Sequence, residues 1–448
     1  MKLEEFKNRC MAEAAAAGLT DYEVYYEVAS ESSVSAFRHE IKEVSSSTEG
    51  GVSFRCKIDG RMGYASTQSF DPENAAELVE KAIENARALE TSEEEFLGEA
   101  GHEYKELPVT EVRTPGIEEM KAAVLAGQEA LYASDPRVID GCESNASVVE
   151  LELGLANSKG LNLSSSNSGF IYYAVSVVSE NGELADNYEV KITDFDKLNV
   201  KEISEKATGD AVKKLGASAP QTGAVPVVFT PEAMNSLLAT FSGIFSADNA
   251  RKGLSRLKGK EGRKIAADIV SIIDDPFFED APIKRAFDAE GSPAVCKPVV
   301  ENGCFRTLLY NLKAAKAAGT VSTGNASRRS YTSPVGIMPF TLYIAPGKYT
   351  KEDLIKLAGN GVLINSLSGL HAGANPISGD FSLLSSGTLI ENGELTRPVR
   401  SFTVAGNFYT LLENVRALSD TVKRTDNLSV TGFASPHVLV DGLSIAGK

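Results

Sequence analysis

The stretch that decides the fold of the first half runs from residue 22 to residue 28 and reads Tyr-Glu-Val-Tyr-Tyr-Glu-Val. Its acidic and apolar side chains largely alternate, which is typical of a β-strand whose two faces differ. Turn signals follow at Glu49-Gly50-Gly51 and at Asp59-Gly60, and they divide the surrounding sequence into short alternating runs. We therefore predict an antiparallel meander over residues 21–68.

Helices are predicted on both sides of this meander. Leu3, Phe6 and Cys10 recur at helical spacing before it, and Asp71-Pro72 is typical of a helix start after it. Thr114-Pro115 opens a third helix, to about residue 134. Strands are then expected around residues 148–155, 169–179 and 184–192, before a helix at 200–215. Residues 91–114 are expected to form an acidic surface connection.

The main domain boundary is placed at residue 220, within the sequence Gly-Ala-Ser-Ala-Pro-Gln-Thr-Gly of residues 216–223. The predicted fold class is α+β: a mixed N-terminal domain with an antiparallel sheet at 1–220, and a strand-rich domain at 221–448. In the second domain, helices are expected where Thr230-Pro231 opens an apolar run, after Thr350, and at residues 312–318 and 407–418.

Charge and composition exclude several classes of function. The 45 Lys and Arg residues face 61 Asp and Glu residues, so the net charge is −16 and a protein that coats nucleic acid or an anionic membrane is not indicated. No apolar run approaches the ~20 residues of a membrane span. The five cysteines are scattered without a Cys-x-x-Cys pair, and residues 1–6 lack a signal-peptide pattern. We predict a cytoplasmic protein.

Few residues are available for catalysis by a metal or a nucleophile. The four histidines, at positions 39, 102, 371 and 437, are far apart in sequence, whereas a zinc hydrolase usually needs two or three such ligands. Neither a phosphate-binding Gly-x-x-x-x-Gly-Lys loop nor a Gly-x-Ser-x-Gly elbow occurs.

The densest functional-looking stretch is residues 366–382, a loop rich in Gly, Ser, Asn and Asp. His371, Asn375, Ser378 and Asp380 could bind a ligand there, as polar loops on rigid sheets often do. The alternative is a structural turn in which Asn375 and Asp380 bond their own backbone. His371 and Asp380 could also ligate a metal, but two ligands alone do not define a site.

A second candidate is the basic cluster at residues 251–264, which begins with Arg251-Lys252. Such a cluster is usually a solvated face. Because the rest of the chain is acidic, the cluster could instead receive an acidic partner surface or a peptide carboxylate.

Several separated motifs occur together in one order. They are Phe245–Gly253, Ile273–Pro276, Gly369–Ser382, Ile390–Leu395, Pro398-Val399, Ala405–Asn407 and Gly442–Gly447. This combination resembles the TldD/PmbA family, over essentially the whole chain and most strongly at 225–448.

The resemblance implies one of the two kinds of subunit in that family. One kind carries a His-Glu-x-x-x-His helix and a late cysteine that bind a catalytic metal, and the TldE/PmbA kind lacks them. Here the corresponding helix region, Met234–Phe245, contains no His and no Glu, and no cysteine follows Cys304. The region Ala434–His437 stands roughly where the late cysteine would be.

The implied function is that of a TldE/PmbA-like subunit of a cytoplasmic two-component metalloprotease. Its TldD-like partner would hold zinc, and the pair would process or degrade small unfolded peptides, including peptide-antibiotic precursors. The family label "modulator of DNA gyrase" is interpreted as an indirect effect, so no direct nucleic acid contact is expected. This chain would carry no catalytic or metal-binding residue. Peptide or partner contacts are expected at His371, Asn375, Ser378, Asp380, Arg251, Lys252 and Asn407.

Two alternatives stay open. The chain could be a self-contained hydrolase with an unrecognised site, or with a metal bound by His371, His437 and a carboxylate. It could also act as a homodimeric peptide-binding scaffold.

Overall fold

The structure is a computed structural model that describes residues 3–91, 93–107 and 112–448. It has an α+β fold, with one antiparallel sheet in the first half and strand-rich sheets in the second half, as predicted. Among the described residues, no helix combines the length and the apolar character that a membrane crossing requires. The division at residue 220 stays a proposal.

The first half is built on a six-stranded antiparallel sheet with the strand order β3-β2-β1-β4-β5-β6. Its first three strands confirm the predicted meander, and the turn at Asp59-Gly60 lies where it was predicted. The predicted turn at Glu49-Gly50-Gly51 is wrong: one strand runs from Glu40 to Ile58 through these residues, and the preceding turn lies at Arg38-His39. The elements are α1 (Leu3–Ala16), β1 (Tyr22–Phe37), β2 (Glu40–Ile58), β3 (Arg61–Thr67), α2 (Pro72–Ala88), α3 (Ile117–Ser134), β4 (Glu143–Asn157), β5 (Asn162–Glu180), β6 (Glu183–Thr193) and α4 (Val200–Val212).

The alternation along β1 sorts its side chains onto two buried faces. Val24 and Tyr26 pack with the apolar residues of α1 and α2. Tyr25 points the other way and packs with Leu153 and with Phe287 of the second half. Helices α3 and α4 cover the far end of the same sheet. The sheet is therefore a shared wall between the helices and the second half.

The second half contains two six-stranded sheets and a two-stranded one. Their orders are β10-β9-β8-β13-β19-β18, β16-β15-β14-β7-β20-β17 and β11-β12. The strands are β7 (Gly223–Phe229), β8 (Ile272–Asp275), β9 (Lys297–Glu301), β10 (Cys304–Phe305), β11 (Ala326–Ser327), β12 (Gly336–Ile337), β13 (Thr341–Ile344), β14 (Gly361–Ser368), β15 (Asp380–Glu391), β16 (Glu394–Asn407), β17 (Val415–Leu418), β18 (Lys423–Arg424), β19 (Gly432–Ser435) and β20 (Val438–Ala446).

Helices fill the space between these strands, and one large apolar core joins them. Helix α8 begins at the predicted capping box, where the Thr350 side chain accepts from the Asp353 N–H. The helices are α5 (Pro231–Phe241), α6 (Ala247–Arg251), α7 (Leu312–Ala318), α8 (Lys351–Ala358), α9 (Leu370–Gly373) and α10 (Phe408–Glu413).

The predicted helix over residues 407–418 is wrong in its second half. Helix α10 stops at Glu413, and Val415–Leu418 form strand β17, which pairs with β20. In this edge strand Arg416 is exposed and the other three residues are buried, and the pairing with β20 overrides the helical propensity of the segment.

The acidic connection is more than a surface linker. Part of it, residues 92 and 108–111, lies outside the described residues. Leu97 is buried, and the Gly98 carbonyl accepts from Asn157 Nδ2 at 2.9 Å. A Cβ at Gly98 would lie 2.0 Å from the Glu290 carbonyl oxygen, so the backbone is pressed against the second half.

A buried ionic cluster joins the two halves: Glu23, Arg55, Arg328 and Glu290. Arg55 donates to both carboxylate oxygens of Glu23, at 2.8 and 3.1 Å, and Arg328 Nη2 lies 2.5 Å from Glu23 Oε1. Burial alone would raise the pKa of Glu23, but the two guanidinium charges hold it below its ordinary value. Burial also raises the pKa of Glu290, which lies 4.0 Å from Arg55.

Candidate functional site

The predicted polar loop after α9 is closed by its own hydrogen bonds. Asn375 Oδ1 accepts from the N–H groups of Ile377 and Ser378 at 3.0 and 3.1 Å. The Asn375 N–H donates to the Asp380 carbonyl at 2.8 Å. Asn375 therefore bonds its own backbone, as in the structural turn that was the alternative to a binding loop. The side chain of Asp380, at the end of the loop, accepts from Asn407 instead.

Asn407 ties this loop to the start of α10. Its Nδ2 donates to the Ser378 carbonyl and to Asp380 Oδ1, both at 2.8 Å. Its Oδ1 accepts from the Tyr409 N–H at 3.1 Å and so caps the helix. The structure thus brings together four of the predicted residues, Asn375, Ser378, Asp380 and Asn407, in what we call the loop network.

The loop network holds its carboxylate in the charged form. Hydrogen bonds from Asn407 and Ser378 lower the pKa of Asp380, and the positive charge of Arg256 adds to the effect. Gly379 is required beside it because its φ is +84° and an added Cβ would lie 2.6 Å from the Tyr409 ring.

A cleft of about 710 Å³ opens beside the loop network, and the later part of the basic cluster lines it. We call it the basic cleft. The Arg256 N–H donates to the Tyr409 hydroxyl at 3.3 Å, and its guanidinium carbon lies 5.3 Å from the centre of that ring. The charged lining residues are Arg256, Lys260, Arg263, Lys264, Asp380 and Glu413.

Positive charge therefore exceeds negative charge in the basic cleft, although the chain as a whole is acidic. One of the four cations, Lys264, pairs with Asp268 at 2.6 Å. Such a cleft can hold a carboxylate or another anionic group between cationic side chains.

Arg251 is the last residue of α6 and Lys252 is its C-cap, and neither lines the cleft. Both pair with Asp248, at 2.9 and 2.7 Å, and Arg251 Nη1 also lies 2.7 Å from Glu93 Oε1. Hydrogen bonds from Lys313 and Arg251 lower the pKa of Glu93 to about 2. The predicted role of Arg251 and Lys252 in partner binding stays a prediction. In this structure Arg251 helps to hold the acidic connection in place through Glu93.

His371 lies on the exposed side of the short helix α9. Among the hydrogen bonds of the described residues, none joins its side chain to the loop network. The other histidine proposed as a metal ligand, His437, is partly buried, and burial lowers its pKa to about 4.

Helix α5 corresponds to the helix that, according to the resemblance, carries the metal ligands in the other kind of subunit. It begins at Pro231, slightly earlier than the compared region, and includes Glu232, which pairs with Lys423 at 2.6 Å. Apart from Asn235, whose Nδ2 donates to the Lys423 carbonyl at 3.0 Å, its buried side chains are apolar. Phe241 stacks on Phe408 with ring centres 4.6 Å apart.

The region corresponding to the late cysteine lies beside that helix. Strand β19 packs on α5, and the Ser435 hydroxyl donates to the Pro231 carbonyl at 3.4 Å. Across residues 3–91, 93–107 and 112–448, no group of three or more His, Cys, Asp or Glu side chains is placed to hold a metal ion. The absence of a metal site from this chain stays a prediction.

Comparison with known protein families gives matches along the chain. Residues 22–86 match the PmbA/TldA metallopeptidase domain 1, residues 111–215 match its central domain, and residues 222–447 match its C-terminal domain. The third match alone covers half of the chain. The chain therefore belongs to the TldD/PmbA family, as the sequence resemblance predicted.

Individual relatives agree with this assignment. The chain is 27% identical to a Haemophilus influenzae "Metalloprotease PmbA homolog" over 429 residues, which cover 93% of this chain and 90% of that relative. A Thermotoga maritima protein named for DNA gyrase modulation has a similar structure, with a TM-score of 0.88, 30% identity, and coverage of 99% of this chain and 100% of that one. The fold also matches TldE from Thermococcus kodakarensis, with a TM-score of 0.88, 24% identity and the same coverage.

Sequence reasoning missed Tyr409, which forms part of the cleft wall, and did not separate Arg256 from Arg251. Asn407 belonged to a recognised motif, so Tyr409, two positions later, could have been considered as a site residue from the sequence. Separating the two arginines required the tertiary structure, because only the packing of α6 shows which one faces Glu93.

Proposed function

We propose that this chain is a TldE/PmbA-like subunit of a two-component metallopeptidase that acts on small unfolded peptides. The catalytic zinc would be held by a TldD-like partner with a His-Glu-x-x-x-His helix, and both subunits would act in the cytoplasm. The observation that carries the proposal is the largely apolar buried face of α5, where Leu237, Leu238 and Phe241 lie on the helix that is expected to bear ligands in the other kind of subunit. Because α5 carries no histidine, we expect that it holds no catalytic metal and so provides neither an activated water nor a Lewis acid.

The basic cleft is proposed as this subunit's contact for an anionic group. Three of its cations, Arg256, Lys260 and Arg263, are exposed and lie around one opening beside the negatively charged Asp380. The occupant would be an acidic segment of the partner or the terminal carboxylate of a peptide, and the loop network would fix the wall of the cleft.

The first experiment measures metal content and peptide cleavage for the purified chain, with and without a His-Glu-x-x-x-His subunit. We expect less than stoichiometric zinc in the chain alone and cleavage of an unfolded peptide only in the mixture. Stoichiometric metal and cleavage by the chain alone would overturn the proposal and make His371→Gln and His437→Gln the next variants to test.

A second experiment tests the cleft with the variant Lys260→Glu/Arg263→Glu. Its control is Lys258→Glu, because Lys258 belongs to the same exposed basic cluster but does not line the cleft. We expect the double variant, and not the control, to weaken either partner association or binding of a peptide with a free carboxyl terminus. Amidation of the peptide terminus separates these two readings.

A further inference from the structure

Five ionisable side chains are buried together where the two halves of the chain meet, and we call them the junction. Glu23 and Arg55 lie on β1 and β2 of the first half. Arg328 lies in the second half, as do Asp288 and Glu290, which belong to a turn at residues 288–292. If all five were ionised, three negative charges would face two positive charges. A buried charge without a partner is costly, so one carboxyl group is expected to stay protonated.

Two further cations, Lys297 and Arg285, act on Asp288 through their charge. Lys297 pairs with the buried Asp274 at 2.8 Å. Arg285 interacts more strongly with Glu27 than with Asp288. Each of these cations therefore already faces an acidic group outside the junction, and the excess of negative charge inside the junction remains.

Two of the three carboxylates in the junction each accept three hydrogen bonds. Glu23 accepts two from Arg55, at 2.8 and 3.1 Å, and one from Arg328 at 2.5 Å. Asp288 accepts from the backbone N–H groups of residues 290, 292 and 326, each at 2.9 Å. Burial raises the pKa of Asp288, but these N–H groups oppose the effect. Donors of this kind favour the ionised form, so neither group is the one expected to keep the proton.

Glu290 has fewer partners than the other two carboxylates. Its Oε2 accepts from the Leu312 N–H at 2.8 Å, whereas its Oε1 lies 4.0 Å from Arg55 Nη1, beyond hydrogen-bond distance. Arg55 Nη1 donates instead to the Tyr64 hydroxyl at 3.4 Å, and that hydroxyl donates to Glu95. Only 2% of Glu290 is exposed to solvent. Burial therefore raises the pKa of Glu290 well above its ordinary value, and the two neighbouring carboxylates add to the effect.

The turn that carries Glu290 is in contact with both halves. The Tyr104 hydroxyl of the acidic connection donates to the Gly291 carbonyl at 2.8 Å. Helix α7, whose first N–H binds Glu290, also reaches that connection, because Lys313 Nζ lies 2.7 Å from Glu93 Oε2. A change in the charge of Glu290 therefore acts on the contact between the first half and the second half.

We propose that Glu290 makes the contact between the two halves pH-dependent: the contact is closed while this carboxyl group is protonated, and it loosens when the group ionises. The sign follows from the raised pKa. Above the ordinary carboxyl pKa of 4.5, an opened junction releases the proton, whereas the closed junction keeps it. Opening therefore becomes easier as the pH rises, until Glu290 ionises in the closed junction as well. The inference goes beyond the proposed peptidase role and does not depend on it.

The first test detects the proton directly, in the full chain without a partner or a peptide. Infrared difference spectroscopy in D₂O, with Glu290→Gln as the reference, should show the carbonyl stretching band of one protonated carboxyl group at pH 7, where ordinary carboxylates are ionised. The control Glu279→Gln, at an exposed residue, should leave this band unchanged. If Glu290→Gln removes no such band, Glu290 is ionised and the inference is wrong.

The second test measures how often the junction opens. Hydrogen exchange of the amides at residues 290, 292 and 312 is compared between the unmodified chain and Glu290→Gln at each pH, which cancels the intrinsic pH dependence of exchange. The neutral amide of the variant imitates the protonated carboxyl group. The opening constant of the unmodified chain, relative to the variant, should rise about tenfold per pH unit above pH 5 for as long as the closed junction keeps its proton.

Amides of α2 and α8, which lie away from the turn, serve as internal controls and should not follow this dependence. An equal change in those helices would mean that Glu290 affects global unfolding and not the contact between the halves, and it would overturn the inference. A constant ratio across the pH range would do the same. Failure of Glu290→Gln to fold would also overturn it, because the fold would then require the ionised carboxylate.

Discussion

The buried ionic cluster and the loop network use similar residue types in opposite surroundings. Glu23 is fully buried and faces two guanidinium groups, whereas Asp380 is exposed and is held by amide and hydroxyl groups. In the buried ionic cluster, the charges cannot be hydrated and must remain paired. In the loop network, water can replace any hydrogen-bond partner that Asp380 loses. The difference teaches that burial, and not the number of hydrogen bonds, decides which carboxylate the fold depends on.

The largest effect is expected at the centre of the buried cluster. The variant Glu23→Gln leaves Arg55 and Arg328 as uncompensated buried charges and should lower the free energy of unfolding by about 3–5 kcal/mol. Urea denaturation monitored by circular dichroism measures it. If the free energy of unfolding fell no more than it does when an exposed ion pair is removed, burial would not explain the difference between the two clusters.

His437 is an intermediate case because it is only partly buried. Burial, followed by the charge of Lys351, lowers its pKa to about 4 from 6.5, so the folded state disfavours the protonated form. The unfolded chain binds the proton first as the pH falls, and stability present above pH 6.5 is therefore lost between about pH 6.5 and 4.

We expect the contribution of His437 to lower the free energy of unfolding by roughly 2–3 kcal/mol between pH 7 and pH 4. Denaturation midpoints across this range, compared between the unmodified protein and His437→Gln, isolate the contribution. The variant should show a flatter profile, and His102→Gln, at an exposed histidine, serves as the matched control. Identical profiles for all three proteins would argue against this role of burial.

A smaller effect is expected in the loop network. Asn407→Ala removes the N-cap of α10 and two bonds to the loop, and should cost about 1 kcal/mol. It should also move the pKa of Asp380 back towards its ordinary value, because the Asn407 bond is the main cause of the lowering. Thermal unfolding and a titration followed by NMR measure the two effects, with Asn407→Asp as the variant that keeps the capping oxygen.

The smallest effect is expected for the exposed pair of Arg251 and Glu93. Arg251→Ala should change the free energy of unfolding by about 0–1 kcal/mol, and the change should shrink further in high salt. A large loss that does not depend on salt would mean that the acidic connection holds the two halves together more strongly than its exposure suggests.

Much of the fold could be predicted from local patterns. The alternation at residues 22–28, the turn at Asp59-Gly60 and the Thr350 capping box each specify local structure without help from distant residues. The segment 415–418 could not be predicted, because its strand exists only through pairing with β20.

The candidate site, like the fold, could be predicted only in part. Residue types alone indicated the polar loop, and the family motifs added Asn407. The sequence could not indicate that Asn407 bonds Ser378 and Asp380 from 27 residues or more away.

The sequence by itself therefore determined the alternation of helices and strands, the family, and the absence of histidine from the α5 region, because these depend on residue identity and short spacing. Only the tertiary structure decided which charges are buried and which cations share a cleft. Those properties arise from contacts between residues hundreds of positions apart, such as Glu23 and Arg328. Their energies depend on desolvation, which the folded chain creates only once both halves have packed together.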